Sequence, residues 1–222
     1  MLQQINKKII FYISLVIILG TFNNKNLKNF DLPKINMIDI EGIEFNDNEF
    51  LKTTNLIKLN NLLSIQKSQI KEILNSNNFI EEYEVFKKYP SSIKIKIKKT
   101  NFLASTNING KNYLVGSNGK FINTKVYSKN LPFVFGNFEP ENFLEFKSII
   151  LQTDLKFNNI KNFYYFPSGR WDIEMISGVL IKLPISGIKE SLNLSIDLLN
   201  NKEFGNIKIL DIRQKNQIVI ND

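Results

Sequence analysis

Two pairs of carboxylates stand at spacings that could serve acid–base chemistry: Asp39 with Glu41, and Asp172 with Glu174. Each pair lies in an alternating apolar segment, so both members fall on one face of a strand. Glycoside hydrolysis needs two carboxylates flanking a bond. Same-strand neighbours ordinarily make a solvated face, and that reading is preferred for both pairs. The 222 residues include no cysteine and no histidine. That removes disulfides, thiolate nucleophiles, Ser-His-Asp and Cys-His arrangements, and most zinc, haem and iron–sulfur sites. Serine and lysine are plentiful, but nothing marks one pair as a dyad. Asp47-Asn48-Glu49 does not follow the spacing of a calcium loop. Gly116-Ser117-Asn118-Gly119 lacks the lysine and spacing of a phosphate loop and reads as a β-turn. The sequence therefore predicts no catalytic residue, cofactor-binding residue or metal ligand, and no cofactor.

The elements that carry these residues begin with Glu82–Lys99. Ile93, Ile95 and Ile97 alternate with Lys94, Lys96 and Lys98, and Pro90-Ser91-Ser92 is turn chemistry. This predicts two strands joined by a tight turn, one face buried and one wet, with the lysines discouraging edge pairing. Ile35–Glu41 alternates as well and stops at Gly42. Asn46 and Glu49 resemble a capping box, with Phe50, Leu51 and Thr54 following, and Ile65, Ile70, Ile73 and Leu74 stand at helical spacing. The order is strand, helix, helix, strand, strand. From Phe102 the chain turns to short strands. Asn109-Gly110 is a strong hairpin signal, Pro140 opens a helix containing Phe143 and Ile150, and Phe163–Phe166 reads as a strand. Arg170–Met175 returns through Ser177-Gly178 as Leu180–Leu183, Ile188–Leu199 is helical, and Ile207–Arg213 and Gln217–Ile220 close the chain as strands. Trp171 reads as a core or sheet-face aromatic.

The formal charge is +8 and the sequence pI about 9.4. A basic balance can signal nucleic acid or an anionic membrane surface. Here the lysines are spread along an Asn-, Ile- and Lys-rich chain whose single alanine is Ala104. Composition drift is the preferred reading, and no nucleic-acid partner is expected. Ile9–Phe22 is a run of 14 uncharged residues after Lys7 and Lys8. At about 21 Å of helix it is shorter than a roughly 30 Å hydrocarbon core. Signal-peptide h-region, buried core helix and short membrane anchor compete. An uncleaved anchor is preferred, because Thr21-Phe22-Asn23-Asn24 offers no small-residue cleavage site and lysines can extend a short span.

The strand–helix–helix–strand–strand order resembles a POTRA domain. Ile38-Asp39-Ile40-Glu41-Gly42, Leu63-Ser64-Ile65 and Val85–Ile95 narrow the likeness to the bacterial FtsQ/DivIB cell-division family. Leu131-Pro132-Phe133-Val134-Phe135-Gly136, the Arg170–Leu183 run and Leu210-Asp211-Ile212-Arg213 are similar to further family segments. Lys99-Thr100-Asn101-Phe102-Leu103-Ala104 departs from the family's Glu-Arg-x-Pro-x-Ala and keeps only the alanine. The resemblance implies an α+β fold: cytoplasmic tail 1–8, transmembrane helix 9–22, linker 23–34, POTRA domain (β-α-α-β-β) 35–100, and a β-rich domain 101–222 with two or more helices. It also implies a non-enzymatic single-pass scaffold in the bacterial inner membrane at the division septum, its C-terminal part in the periplasm. FtsB, FtsL and other divisome proteins are the implied partners, captured by strand addition at the C-terminal sheet edge. The residues implied in partner binding are Arg170, Gln214, Lys215, Asn216, Gln217, Ile218, Val219 and Ile220; Gln214 stands where an aromatic often occurs. The alternatives are a POTRA protein of outer-membrane assembly or secretion, and a membrane-anchored cell-wall enzyme.

Overall fold

A computed structural model of the chain describes residues 7–22, 33–42, 55, 57–58, 60–124, 130–201, 207–214 and 217–221. The capping-box helix expected at Asn46–Thr54 lies outside them, as do Lys215 and Asn216. Helix α1 spans Lys7–Phe22, 16 residues, or about 24 Å. Its large apolar side chains from Ile9 to Leu19 are exposed. No helix among the described residues is long and apolar enough to cross a membrane, so the expected transmembrane anchor stands as a helix of less than spanning length.

A three-stranded sheet follows. It contains β1 (Met37–Glu41), β2 (Ile80–Lys88) and β3 (Ser92–Lys99) in the order β1-β3-β2. β1 runs parallel to β3, with Ile38 opposite Ile93 and Ile40 opposite Ile95. β2 and β3 form the hairpin predicted around Pro90-Ser91-Ser92. Helix α2 (Lys67–Asn75) covers one face. The Gln66 amide donates to the Gln69 side chain at 3.2 Å to close its first turn, and Ile70 and Leu74 are buried. With Ile35, Ile57, Leu62, Ile65, Ile93 and Ile95 they form one core.

The open face corrects one expectation. Lys94, Lys96 and Lys98 are on the central strand and cannot guard an edge. Their cross-strand neighbours are acidic: Asp39 faces Lys94, Glu41 and Glu84 flank Lys96, and Glu82 faces Lys98. Lys94 is ion-paired with Glu41, and Lys98 with Glu82 at 3.2 Å. Opposite charges directly across strands are mutually favourable, so the face is zwitterionic.

Nine further strands make a second sheet. In chain order they are β4 (Phe102–Ile108), β5 (Lys111–Gly116), β6 (Phe121–Asn123), β7 (Phe133–Phe135), β8 (Ile160–Tyr165), β9 (Trp171–Met175), β10 (Leu180–Lys182), β11 (Ile209–Gln214) and β12 (Gln217–Asn221). Across the sheet the order is β12-β11-β10-β9-β8-β7-β4-β5-β6. The β4–β5 turn is Asn109-Gly110, both residues at positive φ, as a two-residue hairpin of this twist requires. Helices α3 (Pro140–Ile150) and α4 (Ile188–Asn200) interleave with the strands. The Glu139 amide donates to Asn142 at 3.1 Å and Pro140 takes the first turn of α3. Both helices contribute buried residues to one core, Phe143, Phe146 and Ile150 from α3 and Leu192 from α4. Trp171 is in that core, stacked on Phe146 at 4.8 Å and 4.7 Å from Tyr165.

Candidate functional site

Period-two alternation assigns the faces of the large sheet. Trp171, Ile173 and Met175 point into the core, so Asp172 and Glu174 lie on the outer face. The register extends that face across four strands. Asp172 is opposite Lys182, Lys182 opposite Asp211, and Asp211 opposite Val219 on β12. Two residues along, Arg170, Pro184 and Arg213 come side by side. With Ile185, Ser186, Gln214, Gln217 and Val219 they line an open groove of about 540 Å³ beside the sheet margin.

Two arginines in this groove are each held by a carboxylate two residues away. Arg170 donates from Nε to Asp172 Oδ1 at 3.2 Å and from its terminal nitrogen to Oδ2 at 3.4 Å. Its guanidinium lies over the Phe166 ring at 4.1 Å. Arg213 donates from Nε to Asp211 Oδ1 at 2.8 Å. Paired hydrogen bonds of this kind fix the plane of a guanidinium as well as its position. The carboxylates respond oppositely. Burial pushes the Asp172 carboxyl up, and Arg170 draws it back. The Arg213 hydrogen bonds hold Asp211 below the usual carboxylate range.

The solvated face expected for Asp172 and Glu174 is a second correction. Asp172 is 3% exposed and also accepts the Leu183 amide at 3.3 Å. Glu174 accepts from Lys161 at 2.8 Å, Asn162 at 2.8 Å and the Tyr164 hydroxyl at 2.6 Å. Those donors, Lys161 first, hold Glu174 down at about 2. Each oxygen of these two carboxylates accepts at least one hydrogen bond from the protein. Among the described residues no group of three or more acidic, His or Cys side chains could hold a metal ion.

The rim itself is β12, the end strand of the sheet. Of the residues expected in partner binding, Gln217, Ile218, Val219 and Ile220 are on it; Val219 is 52% exposed, while Ile220 packs on the core. Gln214 belongs to β11 and is paired with Gln217 of β12. Arg170 reaches the same groove from three strands away. Sequence reasoning did not select Arg213, Asp211 or Pro184. The signal was present, because Arg170-x-Asp172 and Asp211-x-Arg213 are both same-face pairs on strands.

A family profile described as "Cell division protein FtsQ/DivIB, C-terminal" matches residues 104–213, β4 to β11. The cell division protein FtsQ of Rickettsia bellii is 30% identical over 194 residues, covering 84% of this chain and 72% of that protein. The chain belongs to the FtsQ/DivIB family. Further FtsQ/DivIB relatives are FtsQ of Rickettsia felis, 29% identical with the same coverage, and DivIB of Clostridium botulinum, 26% identical over 60% of this chain and 50% of its own length. The major extracytoplasmic domain of the trans isomer of DivIB from Geobacillus stearothermophilus covers 43% of this chain and 87% of its own at 15% identity and a TM-score of 0.33, too loose a superposition to carry an argument. Membership in a family of cell division proteins places the chain in bacterial division. The sites at Arg170 and β11 lie within or beside the matched FtsQ/DivIB segment.

Proposed function

We propose that the chain is a non-enzymatic scaffold of the bacterial divisome that captures FtsB- and FtsL-type partners by strand addition along β12. The observation that carries this reading is the position of β12 at the end of a nine-stranded sheet. An end strand offers unpaired N–H and C=O groups to an incoming strand. The two oriented guanidinium groups beside it supply charge-assisted contacts that a backbone ladder alone lacks. In this reading residues 35–100 form a POTRA domain and 101–222 a β domain, standing in the periplasm at the septum. Helix α1 is the inner-membrane anchor of a single-pass chain with its N-terminus in the cytoplasm. Its exposed apolar surface supports that role, and bilayer thinning with lysine snorkelling accommodates a short helix. The zwitterionic face of the small sheet supports protein rather than nucleic acid as partner.

The test uses two single prolines. Successive amides on a strand point to opposite edges. Of Ile218→Pro and Val219→Pro, one therefore removes an outward donor and the other a donor to β11. The full chain in detergent is presented to purified FtsB. The outward variant should lose capture by tenfold or more, on the order of 1.4 kcal/mol, with its circular dichroism unchanged. Full capture by both folded variants would refute strand addition at this edge.

A further inference from the structure

We propose that the turn Gly116–Lys120 welds the small sheet to the large one, making β1 to β12 a single rigid arm. Only Thr100 and Asn101 separate β3 from β4, and relative motion is the default for units joined in this way unless their interface holds them. Here the polar groups of the joint are engaged on both sides. The Thr100 amide donates to the Phe79 carbonyl at 2.9 Å, and the Ser117 amide to the Asn101 carbonyl at 2.8 Å. The Thr100 hydroxyl, on a residue 3% exposed, lies 3.1 Å from the Ser117 hydroxyl.

Asn118 joins the two units with one side chain. Its Oδ1 accepts the Lys120 amide at 3.2 Å, which shapes the turn. Its Nδ2 donates to the Asn78 and Ile80 carbonyls, both at 2.9 Å, on the small unit. Asn78 returns a bond from Nδ2 to the Phe121 carbonyl at 2.9 Å. Lys120 Nζ reaches the Asn75 carbonyl at the end of α2 at 2.8 Å, and the Ser117 hydroxyl donates to Glu81. Phe79 and Phe102 meet edge to face at 6.3 Å alongside. The joint is packed without slack: a Cβ on Gly116 would lie 2.5 Å from Asn118 Oδ1 and 2.9 Å from Thr100 Oγ1. These bonds, exposed to half-buried, are all made together in one relative arrangement of the two units, and they reinforce one another there. The β12 margin is thereby held at a fixed distance and direction from β1, whatever it binds.

The absence of cysteine allows two introduced cysteines to be labelled uniquely. Spin labels at Lys71→Cys and Lys111→Cys, both exposed, report the separation of the units in the full chain in detergent by pulsed electron resonance. A single narrow distance distribution is expected. Asn118→Asp keeps the Oδ1 acceptor for Lys120 and removes both donors to the small unit. It should broaden the distribution about twofold while Trp171 fluorescence stays native. If that variant misfolds, Asn78→Ala, at an exposed residue, removes the return bond alone and should broaden it less. A broad distribution in the unsubstituted chain, or one as narrow in folded variants as in the parent, would overturn the weld.

Discussion

Replacing Glu174 by Gln tests whether the outer face of the large sheet is held by charge. Glu174 is held at about 2 against a usual 4.5. At about 1.36 kcal/mol per tenfold in proton affinity, this difference corresponds to about 3.4 kcal/mol as an upper bound. The Lys161 side chain is 58% exposed and that of Glu174 19%, so solvent screening brings the figure to about 1–2 kcal/mol. The folded value lies below the unfolded one. The contribution is therefore fully present above about pH 4.5 and is lost as pH falls towards 2. Glu174→Gln should be less stable than the parent by about 1–2 kcal/mol at pH 7, and the two proteins should converge near pH 2. Urea unfolding followed by Trp171, the one tryptophan in the chain, reads the correct sheet. Other carboxylates titrate in both proteins and cancel in the comparison. A deficit of equal size at every pH, or none at pH 7, would refute the argument.

Trp171→Ala should cost about 3–5 kcal/mol, since the indole is 3% exposed and stacked on Phe146; urea unfolding followed by circular dichroism measures it. Gly136 has φ +107°, and a Cβ there would lie 2.1 Å from the Tyr165 carbonyl oxygen. Gly136→Ala should therefore lower stability by more than about 2 kcal/mol. Gly178→Ala is the control: φ is +92° but nothing lies within 4 Å, so backbone strain alone should cost about 1 kcal/mol. Equal melting temperatures for the two variants would show that the contact at Gly136 is not what excludes a side chain.

Periodicity made the strands legible because a strand writes its faces into every second residue. Ile93, Ile95 and Ile97 are buried, as their alternation with lysine required. The Asn109-Gly110 hairpin and the Pro140 helix start were legible for the same reason: each depends on chemistry within a few residues. Neighbours across a sheet are set by distant chain. Nothing near Lys94 announces that β1, some fifty residues earlier, pairs parallel beside it and supplies Asp39 and Glu41. The role expected for those lysines was wrong on that account. The Gly116–Gly119 turn was read correctly as a turn, since the Gly119 amide closes on the Gly116 carbonyl at 3.2 Å. Its role as a joint depended on carbonyls of Asn78 and Ile80, some forty residues away.

The same distinction explains how the groove was half seen. Arg170 and Asp172 share a face by spacing, and so do Asp211 and Arg213, but neither pair contains information about the other. They meet because β10 lies antiparallel to β9 and parallel to β11, an arrangement fixed by the return through α4. Once it is made, Lys182 falls between Asp172 and Asp211, and signs alternate across three strands. What opposes burial at Asp172, 3% exposed, is the Arg170 guanidinium and the Leu183 amide, since a buried charge without partners would be neutralised instead. Net charge carries no such positional content. A chain of +8 has its densest lysine row cancelled by four carboxylates on neighbouring strands, while the two arginines that flank β12 are ordered by only two.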